Sequence, residues 1–149
     1  MNIYLKEITE DNWLECIELK ITKEQEKHLP HSNVKSIAEW KFNSHWVPLG
    51  IYLDDVMIGF SMYGLDANDG TMWIIRFMID EKYQGKGYGK YALGELLNKI
   101  KSENPCTEVW LSFHPESEAA ERLYTSYGFK QEITGFEAED EIFYKLNLL

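Results

Sequence analysis

The stretch of sequence that most constrains this chain runs from residue 72 to residue 97. It opens with an apolar, strand-like run, continues through a glycine-rich segment at residues 84–90 (QGKGYGK), and ends in an amphipathic helix. Glycine at positions 85, 87 and 89 permits unusual backbone angles and lets a ligand approach the amides without a Cβ in the way. Because the segment leads into a helix, its unpaired N–H groups and the helix dipole favour an anion. The stretch therefore predicts a pyrophosphate-binding loop.

Two common phosphate-binding motifs do not match this loop. A P-loop ends in Gly-Lys-Ser or Gly-Lys-Thr, whereas Tyr91 follows Lys90 here. A dinucleotide-binding fingerprint has a third glycine three residues after Gly87, and Lys90 occupies that position. When the loop is taken alone, a glycine-rich turn between a strand and a helix, with no ligand, remains an alternative.

Length and composition limit the classes of protein to which this chain can belong. The sequence has 149 residues, of which 44% are hydrophobic and 27% are charged, as is ordinary for one soluble globular domain over residues 1–149. No apolar run approaches the length of a membrane span, and the N-terminal stretch MNIYLKE is too short and too charged for a signal peptide. We therefore expect a cytoplasmic protein with no membrane partner.

Net charge and cysteine content further limit the kinds of partner and site that this chain can have. The chain has 15 basic and 25 acidic residues, and its formal net charge of −10 argues against a nucleic-acid partner and is compatible with a cationic substrate. Cys16 and Cys106 lie far apart in different predicted elements, so the sequence suggests neither a disulfide framework nor a metal site. We expect both thiols to be reduced and half-buried.

Hydrophobic periodicity gives the order of the secondary structure. A first strand is followed by two helices, an antiparallel meander of three strands, a helix, a strand, a helix and two final strands. The predicted strands cover residues 3–8, 50–53, 56–63, 72–79, 108–113, 129–134 and 141–148, and the last two helices cover residues 87–101 and 118–127. Because a helix connects them, strands 72–79 and 108–113 are expected to be parallel. The glycine-rich loop would then lie at the carboxyl end of strand 72–79, where open α/β sheets bind ligands.

The two N-terminal helices are predicted from shorter apolar patterns. Thr9 is a suitable N-cap for the first helix, and Ser32 or Asn33 is suitable for the second. Pro30 interrupts the polar segment 22–31 between them. Their apolar faces are predicted to hold Trp13, Leu14 and Ile17 in the first helix and Val34, Ile37 and Ala38 in the second.

Two blocks of the sequence resemble the GNAT N-acetyltransferases. The spacing of Gln84, Gly87 and Gly89 is similar to that family's acyl-CoA pyrophosphate motif, which has Arg or Gln, two residues, Gly, one residue and then Gly or Ala. Residues 117–129 (SEAAERLYTSYGF) resemble the helix that follows the family's fifth strand. Further similarity, to bacterial spermine/spermidine acetyltransferases of the family, covers residues 11–16, 45–52 and 76–89.

The resemblance extends over essentially the whole chain and implies a fold and an activity. The implied fold is α/β (α+β), with a mixed central sheet of about six to seven strands flanked by four helices, the first two of which border the acceptor groove. The implied activity is transfer of the acetyl group of acetyl-CoA to a primary amine of a polyamine, spermine or spermidine, by direct attack in a ternary complex. No metal is implied.

The same resemblance assigns roles to individual residues. Tyr124 would be the general acid that protonates the leaving CoA thiolate, and the backbone of residues 77–79 would hold the thioester and the pantetheine arm. Gln84 would brace the loop, and Lys86 or Lys90 would supply positive charge, since Gln is neutral where Arg is frequent. The implied cofactor-binding residues are Phe77, Met78, Ile79, Gln84, Gly85, Lys86, Gly87, Tyr88, Gly89, Lys90, Ser117 and Ala120.

Two positions depart from the family pattern. Ser117 stands where an Asn often contacts the CoA arm, although a hydroxyl can cap the helix and still make one contact. Ile75 stands where polyamine acetyltransferases of the family tend to carry a carboxylate, so proton abstraction from that position is not expected. The substitutes that the sequence offers are Asp66, Asp69, Glu24, Glu26, Glu137, Glu139, Asp140, Glu141 and His114, each of which also fits an ordinary surface residue.

Two functional alternatives stay open at this point. Another acceptor, such as an amino-sugar antibiotic or a peptide N-terminus, needs the same cofactor machinery. A non-catalytic acyl-CoA sensor would keep the glycine loop but would not need Tyr124. The oligomeric state is open as well, although dimers are common in the family.

Overall fold

The computed structural model describes residues 2–27 and 32–149, which form a mixed sheet with helices on both faces. The strands are β1 (Ile3–Glu7), β2 (Val47–Leu53), β3 (Val56–Leu65), β4 (Met72–Ile79), β5 (Glu108–Phe113), β6 (Lys130–Glu132) and β7 (Ile142–Asn147). The helices are α1 (Trp13–Glu18), α2 (Lys23–Glu26), α3 (Asn33–Lys41), α4 (Tyr88–Glu103) and α5 (Glu118–Thr125), and a 3-10 turn covers Glu81–Tyr83.

The sheet has seven strands in the order β1-β2-β3-β4-β5-β7-β6. Strands β2 to β4 form the predicted antiparallel meander, and β1 pairs antiparallel with β2. Strands β2 and β3 meet at a tight turn in which Asp54 has φ +53°. As the crossover rule predicts, β5 is parallel to β4. The α/β fold class and the strand count are thereby confirmed.

The core divides between the two faces of this sheet. On one face, α4 buries Leu93, Leu96 and Ile100 against β4 and β5. On the other face, α1 and α3 cover an apolar cluster that includes Cys16 and Met78. The longest helix, α4, has 16 residues, and none of the helices described combines the length and the apolar character needed to span a bilayer.

The prediction for the buried face of α1 is wrong for Trp13 and Leu14, whereas Ile17 is half-buried. Trp13 and Leu14 are 44% and 55% exposed, and the fully buried residue is Cys16. Asn12, rather than Thr9, holds the start of the helix: its amide donates to the Tyr52 hydroxyl at 3.1 Å, and its Oδ1 accepts from the Thr9 N–H at 2.7 Å. This anchoring turns the fourth residue, Cys16, and not the first two of a six-residue helix toward the sheet.

The other N-terminal helices also differ from the prediction. In α3, Ser32 is the N-cap as expected, but Asn33 and Ser36 face the sheet while Val34 is 54% exposed. The one-turn helix α2 was not predicted, so five helices are described rather than four. It forms because Thr22 and Gln25 make a capping box, with each side chain bonded to the other residue's backbone N–H. Pro30 lies outside the described residues.

Candidate functional site

Strands β4 and β5 diverge, and the gap between them opens a cavity. They pair only through Met72 with Val109 and Trp73 with Trp110, although both strands continue beyond these pairs. The cavity has a volume of about 780 Å³ and is lined by the carboxyl halves of both strands, by one face of α5, by the start of the glycine-rich loop and by residues 138–141. A gap of this kind exposes the backbone of β4, so an extended ligand can bond to it as a further strand would.

The glycine-rich loop borders this cavity through Gln84, Gly85 and Gly89. Gly85 and Gly87 have φ values of +76° and +84°, which favour glycine, and Gly87 is the N-cap of α4. Within the described structure, no backbone N–H of residues 85–90 donates a hydrogen bond, and the first helical donor is the Tyr91 N–H to the Gly87 carbonyl. These free donors at a helix N-terminus suit a diphosphate.

The start of the loop is held by a chain of side-chain hydrogen bonds. Gln84 Nε2 donates to the Ile79 carbonyl at 2.8 Å, so its side chain closes the turn from β4 into the loop. Asp80 caps the 3-10 turn by accepting from the Lys82 N–H at 3.0 Å, and its other oxygen accepts from the Lys20 N–H at 2.9 Å. The loop is therefore attached both to β4 and to the segment after α1.

Tyr124 lies on α5 against the same cavity. Its ring packs on Phe113 and Phe129, with centroid distances of 5.6 Å and 5.8 Å, and 8% of the residue is exposed. No described residue forms a hydrogen bond to its hydroxyl, and burial raises the pKa of this phenol. Tyr124 therefore remains protonated at neutral pH, which is the state that a proton donor needs.

Most of the residues predicted to bind the cofactor line this one cavity. The residues in its wall are Phe77, Met78, Ile79, Gln84, Gly85, Gly89, Ser117 and Ala120. Lys86, Gly87, Tyr88 and Lys90 lie just outside its wall, on the loop and the first turn of α4. Ser117 is the N-cap of α5, with its hydroxyl 3.4 Å from the Ala120 N–H. Contacts of these residues with a cofactor stay a prediction.

The family is decided by comparison with known proteins. A model of the acetyltransferase (GNAT) family matches residues 5–129. The chain belongs to the GNAT family. The spermine/spermidine N(1)-acetyltransferase of Bacillus subtilis (strain 168) is 33% identical over 136 residues, which are 87% of this chain and 89% of that protein.

Two other relatives widen the comparison. A [ribosomal protein bS18]-alanine N-acetyltransferase of Haemophilus influenzae is 28% identical over 115 residues, covering 72% of this chain and 70% of that protein. The crystal structure of the PaiA N-acetyltransferase from Thermoplasma acidophilum in complex with coenzyme A aligns with a TM-score of 0.72 and 22% identity, over 99% of both chains. At that identity the likeness concerns the fold.

Membership of the GNAT family settles the class of reaction. GNAT proteins are acetyl-CoA-dependent N-acetyltransferases, so this chain is an enzyme that uses acetyl-CoA as its co-substrate. The residues present fit that co-substrate, because the loop offers unpaired amides for a diphosphate and the gap beside β4 offers free backbone for an extended arm. When bound, acetyl-CoA would supply a thioester carbonyl, at which the acceptor amine would form a C–N bond while the C–S bond breaks.

The candidate bases that the sequence analysis named in place of Ile75 differ in whether they line the cavity of this GNAT enzyme. Glu139, Asp140 and Glu141 line the cavity, as does His114. The remaining candidates, Asp66, Asp69, Glu24, Glu26 and Glu137, do not line it. Two of them have local partners that lower the pKa of the carboxyl: Asp69 accepts from the Thr71 hydroxyl at 2.6 Å, and Glu137 accepts from Thr134.

The cavity of the GNAT enzyme contains a charged strand residue that the sequence analysis did not assign to the site. Arg76 lies in the middle of β4, its side chain is buried, and it lines the cavity. The signal in the sequence was a single charged residue within the apolar run of residues 72–79. Charged residues are rarely buried without a partner, so an isolated arginine in a central strand is a candidate for a functional position.

Proposed function

We propose that this GNAT enzyme acetylates a primary amine of a polyamine, spermine or spermidine, by direct attack in a ternary complex. The observation that carries the proposal is the acidic edge of the cavity, where Glu139, Asp140 and Glu141 lie in the same space as Tyr124 and the glycine-rich loop. Three carboxylates in reach of one cavity suit a substrate that carries several ammonium groups. The similarity to the Bacillus subtilis spermine/spermidine enzyme supports the same substrate class.

In this proposal, different residues of the chain bind the co-substrate and donate the proton. The backbone of residues 77–79 binds the thioester arm, and the amides of residues 85–90 bind the diphosphate, with Lys86 and Lys90 adding positive charge. Tyr124 gives its phenolic proton to the departing thiolate. Its raised pKa makes that transfer uphill, so its position in the cavity matters more than its acidity.

An acceptor screen tests the substrate assignment. Purified protein is supplied with acetyl-CoA and with spermidine, spermine, an alanine-terminated peptide or an amino-sugar antibiotic, and the release of CoA thiol is followed. We expect the two polyamines to give a kcat/KM at least about tenfold above the other amines. Equal or greater activity on the peptide or the amino sugar would contradict the polyamine assignment.

Three further expectations accompany this proposal. A single domain over residues 1–149, a cytoplasmic location and a homodimer stay predictions. Size-exclusion chromatography with light scattering measures the last of these directly.

A further inference from the structure

Arg76 is placed in the cavity by an irregularity in β4. Arg76 pairs with Met62 of β3 and Ile74 pairs with Tyr63, so Ile75 is left without a partner as a β-bulge. The side chain of Arg76 consequently faces α1 and α3, where its Nη2 donates a 3.3 Å hydrogen bond to Asn33 Oδ1. The residue is 8% exposed.

Among the described residues, no carboxylate lies within ion-pair distance of Arg76. Its Nε is buried and has no hydrogen-bond partner among the described residues, and Arg76 takes part in none of the ion pairs between them. Glu39 of α3 acts on it from beyond ion-pair distance. A guanidinium keeps its proton even when burial lowers its pKa, so a residue of the cavity wall carries a buried positive charge that has no ion-pair partner among the described residues.

The wall of the same cavity also contains acidic residues. Glu139, Asp140 and Glu141 line it from the segment between β6 and β7, and all three are exposed. The space between Arg76 and this segment is therefore polarised, with a buried cation on β4 and a group of carboxylates toward solvent. A linear molecule with several ammonium groups has one favourable direction in such a field.

The attacking nitrogen of an alkyl amine must lose a proton before it can react. Such amines have a pKa near 10, and Ile75 offers no carboxylate to take the proton. A neighbouring positive charge disfavours the ammonium form and so lowers the pKa of the amine. A unit charge at about 7 Å, in an effective dielectric of about 20, lowers a pKa by between one and two units.

We propose that Arg76 lowers the pKa of the acceptor's terminal amine, so that this nitrogen reacts in its neutral form, while residues 139–141 hold the distal ammonium groups. The proton leaves for water through the open end of the cavity, and no side chain has to accept it. This inference rests on the proposed polyamine acceptor. The other charged or titratable groups near Arg76 or in the cavity wall are Cys16, Lys27, Glu39, Tyr83, His114 and Tyr124.

The pH dependence of kcat tests this inference, because kcat reports ionisations in the enzyme–substrate complex. Turnover of saturating spermidine is measured from pH 6 to pH 10.5 for the wild type, Arg76→Gln, Arg76→Lys and Arg122→Gln. Arg122 is the matched control, since it is an exposed arginine on α5 outside the cavity wall. Calorimetry with CoA and circular dichroism check that each variant is folded.

In the pH profile of kcat, we expect the midpoint of the wild-type acidic limb at least one pH unit below the amine's own pKa of about 10. In Arg76→Gln the midpoint of this limb should rise by about one pH unit, so that kcat at pH 7 falls about tenfold. The kcat values of the wild type and the variant should become equal near pH 10.5. Arg76→Lys restores most of the turnover at pH 7, and Arg122→Gln leaves the limb in place.

Three outcomes would overturn the inference. The first is a wild-type pH profile whose acidic limb has its midpoint at the pKa of the free amine. The wild type alone is enough to detect this outcome. The second is a loss in Arg76→Gln that is uniform across the pH range. The third is a wild-type preference for ornithine over putrescine that Arg76→Gln abolishes, which would make Arg76 a carboxylate-binding residue instead. By contrast, a wild-type enzyme with no turnover of spermidine at any pH contradicts the proposed function itself.

Discussion

The side-chain amides of Gln25 and Gln84 pair with each other across 59 positions of sequence. Gln25 Nε2 donates to Gln84 Oε1 at 2.9 Å, and Gln84 Nε2 donates to Gln25 Oε1 at 2.8 Å. Gln25 Oε1 also accepts from the Thr22 N–H at 3.2 Å in the capping box of α2. The one-turn helix α2 therefore holds the start of the glycine-rich loop.

This pairing predicts that Gln25→Ala weakens the binding of CoA, because the start of the glycine-rich loop loses its support from α2. The loss of hydrogen bonds that contribute about 1 kcal/mol should raise the Kd for CoA about fivefold, as measured by calorimetry. Gln131→Ala, an exposed glutamine on β6, is the control and should leave the Kd unchanged. If Gln84→Ala is added to Gln25→Ala, the two effects should not add. Fully additive effects, or an unchanged Kd in Gln25→Ala, would show that the pair does not support the loop.

The second prediction concerns Tyr124. Replacing it by Phe keeps the packing on Phe113 and Phe129 and removes only the hydroxyl, so kcat should fall at least about a hundredfold while the Kd for CoA changes little. Tyr144→Phe is the matched control, because Tyr144 is also buried and packs on Phe113 but lies outside the cavity wall. Unchanged turnover in Tyr124→Phe would remove this residue from the mechanism.

The third prediction concerns the carboxylates of residues 139–141. Converting all three to their amides should raise the KM for spermidine about tenfold at low ionic strength, and the difference should shrink in 0.5 M salt because screening weakens the attraction. A control variant removes three acidic charges outside the cavity, at Glu10, Asp55 and Glu95. An equal rise of KM in both variants would show that net charge, and not this edge of the cavity, attracts the substrate.

The fourth prediction follows from the unequal burial of the two thiols. Burial raises the pKa of the Cys16 thiol to about 12. It also raises the pKa of Cys106, which is half-buried. Since the thiolate is the reactive form and since Cys16 is 0% exposed, Cys106 should be alkylated at pH 8 at least about tenfold faster. Mass spectrometry after brief iodoacetamide treatment measures both rates. Equal labelling of the two would contradict the packing of α1 on the sheet.

The sequence predicted those parts of the fold that depend on local patterns. The hairpin at Asp54 and Asp55, the meander and the helix after Gly87 follow from turn residues and periodicity, and all are present. The buried face of α1 could not be predicted, because the anchor that orients it is a hydrogen bond between Asn12 and Tyr52, 40 positions apart. A six-residue helix is too short for its own periodicity to fix its orientation.

The candidate site divides in the same way. The glycine-rich loop could be predicted from the sequence because its residues are consecutive. The role of Tyr124 was predicted from the resemblance to the family. Expecting both thiols to be half-buried was wrong for Cys16, which lies under α3, and correct for Cys106. The exposure of Arg76 to the cavity depends on the bulge at Ile75, and a bulge in one strand is defined only by the register of its neighbour.

The central claim is that the main chain of the glycine-rich loop binds the diphosphate of CoA, and calorimetry with CoA tests it most directly. Gly87→Ala and Gly135→Ala place the same side chain at positive φ, +84° and +86°, with no atom near the new Cβ in either case. Both should therefore lose similar stability, but only Gly87 belongs to the loop. We predict one CoA per chain for the wild type and Gly135→Ala, and at least about tenfold weaker binding for Gly87→Ala. No heat from CoA with the wild type, or equal affinities in the two variants, would contradict the account.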